Sequence, residues 1–301
     1  MFLENFKDEL LTVPGFREFY IKDRNPLGGT VKLRLIKAPN ESMRILHGKL
    51  KLWLRSLKIQ LPFVAGARRG NSPVKNVKRH RYNRFFYLTD LKMAYRHVDG
   101  HKLSLILCRL EPKLAGQEKE VFEFLQKYCL SPEGGLIVGA PASPDFFNIY
   151  AGILIDGPLA PLCEKSRITF SRYLDDLTFS SQNMPIGKRK RKTIRMIIEA
   201  AGFKINHRES RVLDLMKGPV EINGVGLEFG GRIFLPRHFS KKILGMLHSA
   251  IQGNDINPEK IHGMMGIFFD LTDRHSLNQT ERKIIQNYQA YRRLIKWGIK
   301  T

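Results

Sequence analysis

The chain has few acidic residues and cysteines, and it contains no long apolar run. Aspartate and glutamate number 28 against 51 lysines and arginines, a formal charge of +23, which predicts a polyanionic partner such as nucleic acid. The three cysteines, Cys108, Cys129 and Cys163, are widely spaced and odd in number, which excludes a disulfide scaffold and a zinc site. No run of eighteen apolar residues and no basic-then-apolar leader occurs, so we expect a cytoplasmic protein without membrane contact.

The stretch that carries the clearest chemical signal is residues 170–181, where apolar and hydroxyl residues flank the acidic pair Asp175 and Asp176. This pattern predicts two strands joined by a tight turn, with both acids at its exposed tip. Two adjacent carboxylates repel each other unless a cation binds them, and their hard oxygens suit Mg²⁺ or Mn²⁺. Successive strand residues point to opposite faces, so we expect one acid to face the metal directly and its neighbour to assist.

A third acid, Asp90, follows the uncharged run Phe85–Thr89, which predicts a buried strand with this carboxylate at its C-terminal end. Three carboxylates can hold two divalent ions, one polarising an attacking 3′-hydroxyl and the other the leaving pyrophosphate. That is the chemistry of a nucleotide polymerase. Each aspartate taken alone also fits a turn or a helix cap.

Five blocks in order resemble the reverse transcriptase family, and together they span most of the chain. Tyr173–Asp176 is similar to the YxDD box, and Thr89–Tyr95 to the first palm block. The remaining blocks are Gly139–Pro144 followed by Asn148, then Gly202–Asn206, and then Pro236–Arg237, which resembles the primer grip.

Two further segments resemble the bacterial retron type of reverse transcriptase. Asn76–His80 is similar to its NAxxH signature, with Val77 as a departure, and Ile222–Gly224 occupies the place of its VTG signature. Related bacterial defence reverse transcriptases share much of this plan and remain an alternative.

The resemblance implies an α+β right-hand polymerase with fingers, a palm of antiparallel sheet plus helices, and a helical thumb. The expected boundaries are 1–84 for the fingers, 85–235 for the palm with a helical insertion at about 103–132, and 236–301 for the thumb. No further domain is then expected for nuclease, integrase or maturase activity. The pattern also predicts these elements: a helix over 1–15, a hairpin of strands 19–22 and 31–36, helices after Asn40 and from Ser143 to Ile155, a basic helix over 185–201, a strand pair 220–227 and 231–235, and three thumb helices.

By the same resemblance, Lys22 and Arg34 would face the incoming triphosphate, although both also fit solvated strand positions. Tyr95 would lie beneath the sugar and exclude a ribose 2′-hydroxyl; packing in a core is the alternative. Two departures stand out. Val138 replaces the usual glutamine before Gly139, and Glu209 stands where the family often has a lysine that protonates pyrophosphate.

Nucleic-acid contacts are expected from a different set of residues. Residues 62–80 are expected to be irregular, because Gly66, Gly70 and Pro73 break regular structure. Arg68 and Arg69 lie in this stretch, which suits a phosphate track or, alternatively, a disordered basic loop. Gly139, with Gly134 and Gly135 before it, would let the backbone approach the nucleotide or template closely. The residues predicted to contact the nucleotide are therefore Lys22, Arg34, Tyr95, Gly139 and Ala140. Those predicted to contact RNA or the primer are Arg68, Arg69, Asn76, His80, Pro236 and Arg237.

The resemblance thus implies a retron-type RNA-directed DNA polymerase in anti-phage defence, using two Mg²⁺ ions, with Mn²⁺ as a substitute. Its expected partners are deoxynucleoside triphosphates, a structured non-coding RNA that is both template and primer, the RNA–DNA product and an effector protein. Two alternatives remain open: another bacterial defence reverse transcriptase with unusual templating, as Val138 would allow, and a catalytically silent RNA-binding protein on the same scaffold. Retention of all three acids on a surface of charge +23 argues against silence.

Overall fold

The computed structural model describes residues 15–23, 32–272 and 277–296. The expected N-terminal helix therefore lies outside the described residues except for Gly15, and the hairpin turn at 25–29 lies outside them entirely. In chain order the described strands are β1 (Phe16–Asp23), β2 (Lys32–Pro39), β3 (Phe85–Asp90), β4 (Thr169–Tyr173), β5 (Asp176–Ser181), β6 (Arg211–Asp214), β7 (Val220–Ile222), β8 (Val225–Leu227) and β9 (Ile233–Phe234). The helices are α1 (Glu41–Ser56), α2 (Pro73–His80), α3 (Gly100–Leu110), α4 (Glu118–Tyr128), α5 (Ser143–Ala151), α6 (Gly157–Lys165), α7 (Lys188–Ala200), α8 (Arg237–Ile251), α9 (Pro258–Leu271) and α10 (Gln279–Lys296).

The strands form three sheets: the antiparallel hairpin β1-β2, a four-stranded sheet in the order β4-β5-β3-β6, and a small antiparallel sheet β7-β8-β9. The chain divides into two compact units. One comprises residues 1–69, 89–177 and 187–210, and the other 70–88, 178–186 and 211–301. The fingers, palm and thumb boundaries expected from the sequence remain predictions.

The helices of the first unit follow the sequence pattern closely. Asn40 caps α1, as expected, by accepting a hydrogen bond from the Met43 N–H. The helix begins at Ser143, as predicted, but the Ser143 hydroxyl does not cap it as the sequence suggested. Ala142 occupies the capping position, while the Ser143 hydroxyl donates to the Ile137 carbonyl at 2.7 Å. Between α5 and α6 the chain makes a π-helical turn, Gly152–Asp156, that the sequence pattern did not reveal.

The second unit contains two apolar clusters. One joins α2 to the small sheet through buried residues such as Val77, Phe86 and Leu227. The other is built by α8, α9 and α10 around Leu247 and Phe268, which confirms the three helices expected at the C-terminal end.

Two sequence expectations in this unit were wrong. Residues 73–80 are helical rather than irregular, because Ser72 caps the helix and Pro73 occupies its first position, where proline is well tolerated. The expected single strand 220–227 is itself a hairpin. Asn223 and Gly224 both have positive φ, +49° and +79°, as a tight two-residue turn requires.

The continuous helical segment Ser143–Lys165 has the length and composition of a membrane-crossing helix, with mean hydropathy 1.3, although 56% of the apolar window is buried in the protein. Its buried Asp156 pairs with Arg172 at 2.8 Å. A core helix satisfies the same length and hydropathy criteria, and these contacts identify the segment as one.

A buried histidine in α1 makes the stability of the fold sensitive to acid. His47 is fully buried, with Nε2 3.0 Å from the Tyr128 carbonyl, and burial lowers its pKa from 6.5 to about 4. The unfolded chain therefore binds the extra proton first, so this stabilisation is complete above pH 6.5 and is lost as pH falls towards 4. Between pH 7.5 and 4.5 we expect His47 to account for about 2–3 kcal/mol of lost stability.

Urea unfolding at the two pH values, in the wild type and in His47→Gln, measures this contribution. The glutamine variant retains a donor for the Tyr128 carbonyl but does not titrate. Its loss of stability on acidification should be smaller by the amount assigned to His47; equal losses in both proteins would show that His47 is not responsible.

Candidate active site

The acidic pair lies at a two-residue turn between β4 and β5, as the sequence predicted. Leu174 and Asp175 form the turn, and Asp176 begins β5. Leu174 has φ +56°, a left-handed conformation that a branched side chain rarely adopts and that costs about 1–3 kcal/mol. Such strain persists only where the surrounding contacts determine the conformation, so this turn is held in place from outside.

Asp90 lies at the C-terminal end of β3, also as predicted, and hydrogen bonds tie it to the turn and to Asn206. The Leu91 N–H donates to the Asp175 carbonyl at 2.9 Å. Asn206 donates from its backbone N–H to the Asp90 carbonyl at 2.9 Å and from Nδ2 to Asp90 Oδ2 at 3.2 Å. These contacts bring Asp90 and Asp175 together.

The two carboxyls repel each other in a partly dry environment. Burial raises the pKa of Asp90 to about 6; the Asn206 hydrogen bond acts against this rise, and the charges of Glu209 and Asp175 add to it. Burial also raises the pKa of Asp175, with its backbone hydrogen bond and the charge of Arg34 opposing the shift. The negative charge gathered at Asp90 and Asp175 is therefore not fully balanced by the neighbouring groups.

The donor atoms fit a divalent cation. Asp90 Oδ1 is buried and has no hydrogen-bond partner among the described residues, an uncompensated cost that a cation would remove. Within the described parts of the chain, no three Asp, Glu, His or Cys side chains are gathered into a complete ligand set. Mg²⁺ in nucleotide-binding sites is commonly held by one or two carboxylates, with substrate phosphates completing its coordination. Asp90 and Asp175 supply that minimum.

The expectation that both acids are exposed is correct only for Asp176, because Asp175 is partly buried. Burial, and then the charge of Asp176, raise the pKa of Tyr173, so this carboxylate lies within electrostatic reach of the tyrosine hydroxyl. The role of Asp176 as a metal ligand remains a prediction. Its exposed position suits the assisting role expected for one member of the acidic pair.

The register of the β1-β2 hairpin separates the two predicted triphosphate contacts. Lys22 pairs with Leu33, and Arg34 pairs with Ile21. Paired residues share a face and successive residues alternate, so Lys22 and Arg34 point to opposite faces of the hairpin. Arg34 is the one whose charge reaches Asp175. The structure therefore places Arg34, but not Lys22, on the side of the Leu174–Asp175 turn.

Tyr95 lies in the same region. Its ring stacks on Phe147, with centroids 5.2 Å apart and planes 19° apart, and the charge of Asp175 contributes, after burial, to a raised pKa of its hydroxyl. A β-carbon added to Gly135 would lie only 2.3 Å from the Tyr95 carbonyl oxygen, so glycine is required there for the close approach of the two segments. The stack on Phe147 thus fixes the ring within electrostatic reach of Asp175.

Gly139 and Ala140 have a more structural environment than the sequence suggested. Gly139 has φ +111°, and a β-carbon added to it would lie 2.8 Å from the Lys37 carbonyl oxygen. The Lys37 N–H also donates to the Val138 carbonyl at 2.8 Å. The glycine thus permits the close approach of β2, while Ala140 is buried. Contact of either residue with a nucleotide remains a prediction.

The residues predicted to bind RNA or primer lie in both units. Arg68 and Arg69 are exposed in the first unit, shortly after Gly66, which packs against Tyr173. The second unit holds the others. Pro236 is buried at the start of α8, and Arg237, its first residue, is exposed.

Asn76 and His80 are fully buried on α2, against the expectation of exposed RNA contacts. Asn76 Nδ2 donates to Asn223 Oδ1 at 2.8 Å, and His80 Nδ1 lies 2.7 Å from the Ser180 hydroxyl. The two imperfect signature segments are thus bonded to each other. Burial favours a role in shaping this part of the second unit over direct contact by these two side chains.

Sequence reasoning missed Arg172 and Asp156. Both are buried, and they form a bidentate ion pair with two contacts of 2.8 Å. A signal existed: each is a lone charge within an apolar or hydroxyl segment, and such charges are almost never fully buried unless they are paired.

Comparison with known proteins decides the family. Residues 21–226 match the family model described as reverse transcriptase (RNA-dependent DNA polymerase), which is more than half of the chain. The chain belongs to the reverse transcriptase family.

Curated relatives in this family confirm the similarity to the retron type. The chain is 25% identical to the retron Mx65 reverse transcriptase of Myxococcus xanthus over 76% of its own length, and it spans 56% of that enzyme. It is 23% identical to the retron Ec86 reverse transcriptase of Escherichia coli, over 86% of this chain and 77% of the relative.

Solved structures confirm the right-hand polymerase fold. Telomerase from Candida albicans, in complex with a TWJ fragment of telomeric RNA, matches with a TM-score of 0.52 at 12% identity, over 95% of this chain and 58% of the telomerase. The corresponding telomerase from Candida tropicalis matches with the same TM-score and identity, over 95% of this chain and 54% of that one.

Proposed function

We propose that the protein is an RNA-directed DNA polymerase of retron type, which adds deoxynucleotides to a hydroxyl on RNA. The observation that carries the proposal is the convergence of Asp90 and Asp175 in a chain of this family, with a buried Asp90 oxygen that has no hydrogen-bond partner in the described part of the chain. A protein that only bound RNA would have no use for repelling, half-buried acids on a surface of charge +23.

The residues divide the work by their positions. Asp90 and Asp175, assisted by Asp176, would hold two Mg²⁺ ions, or Mn²⁺ in their place, which supply charge stabilisation at the reacting phosphate when bound. Arg34 lies within electrostatic reach of Asp175 and offers a guanidinium to the triphosphate. The Tyr95 ring, held against Phe147, would support the sugar.

The template and biological setting are proposals that extend the similarity to retron reverse transcriptases. We propose a dedicated structured RNA as template and primer, an RNA–DNA product, and a cytoplasmic role in anti-phage defence with an effector protein. The surplus of lysine and arginine supports tight binding of the RNA backbone.

Primer extension with purified protein tests the polymerase activity. The substrates are a defined RNA or DNA template with an annealed primer, all four deoxynucleotides and either Mg²⁺ or Mn²⁺. We expect extension on RNA that requires a divalent ion and follows the template sequence. Product unrelated to the template would favour unusual templating, and RNA binding without extension under either metal would identify a silent binder.

The stacked tyrosine predicts sugar selectivity. Tyr95→Val removes the ring while keeping an apolar side chain against Phe147, so incorporation of ribonucleotides relative to deoxynucleotides should rise by about 10–100-fold. Competition between the two nucleotide types in primer extension measures the ratio. Tyr128→Phe, at a buried aromatic position on α4, serves as the control, and an unchanged ratio in Tyr95→Val would remove Tyr95 from sugar selection.

A further inference from the structure

Arg172 is the penultimate residue of β4 and lies three positions before Asp175. Its side chain is completely buried, and all five of its N–H donors have acceptors. Nε and Nη2 donate to the two oxygens of Asp156 at 2.8 Å each. Asn148 accepts two more bonds, from Nη1 to its side-chain oxygen at 3.1 Å and from Nη2 to its carbonyl at 3.2 Å.

The remaining contact of Arg172 reaches the catalytic turn itself. Nη1 also donates to the carbonyl of Leu174 at 3.2 Å. Leu174 is the residue with the left-handed backbone, and its carbonyl belongs to the peptide bond that leads into Asp175. The guanidinium thus holds the strained peptide next to the proposed metal ligand.

The partners of Arg172 are themselves fixed. Asp156 ends the π-helical turn between α5 and α6, where the Gly157 N–H bonds to the Gly152 carbonyl. Asn148 Nδ2 donates to the Gly66 carbonyl at 3.0 Å, and Gly66 is so close to the turn that an added β-carbon would lie 3.1 Å from the Leu174 nitrogen. The Phe147 ring lies 5.4 Å from the guanidinium carbon. These fixed groups surround the guanidinium and restrict it to a single position.

Stability alone does not explain such an arrangement. A buried ion pair is commonly no more stabilising than apolar side chains of similar size, because both charges must be dehydrated. A fully paired guanidinium does provide a fixed geometry, which catalysis requires at the Asp175 carboxylate.

We propose that Arg172 is a positioning residue of the polymerase reaction: clamped by Asp156 and Asn148, it holds the Leu174 carbonyl and thereby fixes the catalytic turn that presents Asp175. The inference rests on the metal-binding role of Asp175 in the proposed function. Arg172 acts through the turn and need not touch the substrate.

The decisive variant is the double replacement Arg172→Met/Asp156→Leu, which removes both charges together and leaves neither buried alone. We expect its melting temperature and its affinity for the primer–template to stay close to the wild type. Its kcat for deoxynucleotide addition should fall about 100-fold with little change in KM, as for a misplaced reacting group. Its affinity for Mn²⁺, followed by electron paramagnetic resonance without substrate, should fall about tenfold.

Arg172→Lys provides the second variant, for the case that the double replacement does not fold. Lysine keeps the charge beside Asp156, but its three donors on a single nitrogen cannot reproduce the five hydrogen bonds of the planar guanidinium. A folded lysine variant should also lose kcat and Mn²⁺ affinity with primer–template affinity unchanged. A folded variant of either kind with kcat and Mn²⁺ affinity within about threefold of the wild type, less than positioning losses of this type, would overturn the proposal.

Asp175→Asn, measured in parallel, separates this inference from the proposed function. If Asp175→Asn polymerises normally, the assignment of the acidic site is wrong and the role of Arg172 falls with it. If Asp175→Asn is inactive while the Arg172 variants are fully active, only the positioning role is wrong. Replacement of the partly exposed pair on α7 by Arg195→Gln/Glu199→Gln controls for loss of a charge pair and should leave both readouts unchanged.

Discussion

Replacing Asp175 by asparagine is expected to lower the rate of DNA synthesis by about 10³-fold or more, since a metal ligand supplies several kcal/mol of transition-state stabilisation. The carboxylate is largely withdrawn from solvent, shares a repulsive field with Asp90, and is joined to that strand by the Leu91 hydrogen bond. Asparagine has the same shape but no charge. Single-turnover primer extension on an RNA template measures the effect.

Asp176→Asn provides a matched control in the same turn. Asp176 is exposed, and we assign it an assisting role, for which about a 10–100-fold loss is expected. Folding of both variants is checked by thermal melting. An equal or larger loss in Asp176→Asn would show that the exposed acid, and not Asp175, is the principal metal ligand.

Removing the Asp156 carboxylate alone, by Asp156→Ala, is expected to destabilise the first unit by about 3–5 kcal/mol, because Arg172 is left as an unpaired buried charge. Both side chains are almost fully buried, with exposures of 0% for Arg172 and 4% for Asp156. The loss is larger than that for an ordinary surface substitution. The free energy of unfolding in urea, followed by circular dichroism at pH 7, gives the value.

The partly exposed pair Arg195 and Glu199, 3.8 Å apart on α7, is the natural comparison. Glu199→Ala should cost no more than about 0.5 kcal/mol, as for other surface pairs four residues apart on a helix. Similar losses at Asp156 and Glu199 would contradict the account of Arg172 as a desolvated charge that depends on its partner.

Local patterns predicted the elements that present the acids. The apolar run before Asp90 and the flanks of Asp175 specify two strand ends, because alternation, turn length and burial are properties of short segments. The caps at Asn40 and Ser72 are local for the same reason, although Ser72 was not recognised as one. The convergence of Asp90 and Asp175 was expected from the family resemblance and the chemistry of carboxylates.

Contacts between distant segments could not be predicted in this way. The face of Lys22 depends on the register with Leu33, and a shift of one residue would reverse it. The burial of Asn76 depends on a partner 147 positions away, Asn223. The π-helical turn that brings Asp156 to Arg172 has no short sequence signature. The sequence shows only that each residue is a lone charge in an apolar or hydroxyl segment, which indicates an ion pair but not the turn.

The most direct test of the account is to purify the protein from cells that carry its native locus, extract the bound nucleic acid, and compare it with that from an Asp175→Asn/Asp176→Asn variant. Sequencing and nuclease digestion distinguish RNA, DNA and a joined product. We expect a discrete DNA joined to RNA with the wild type, and only the RNA with the variant. Identical RNA in both, without DNA, would contradict it and identify the chain as an RNA-binding protein.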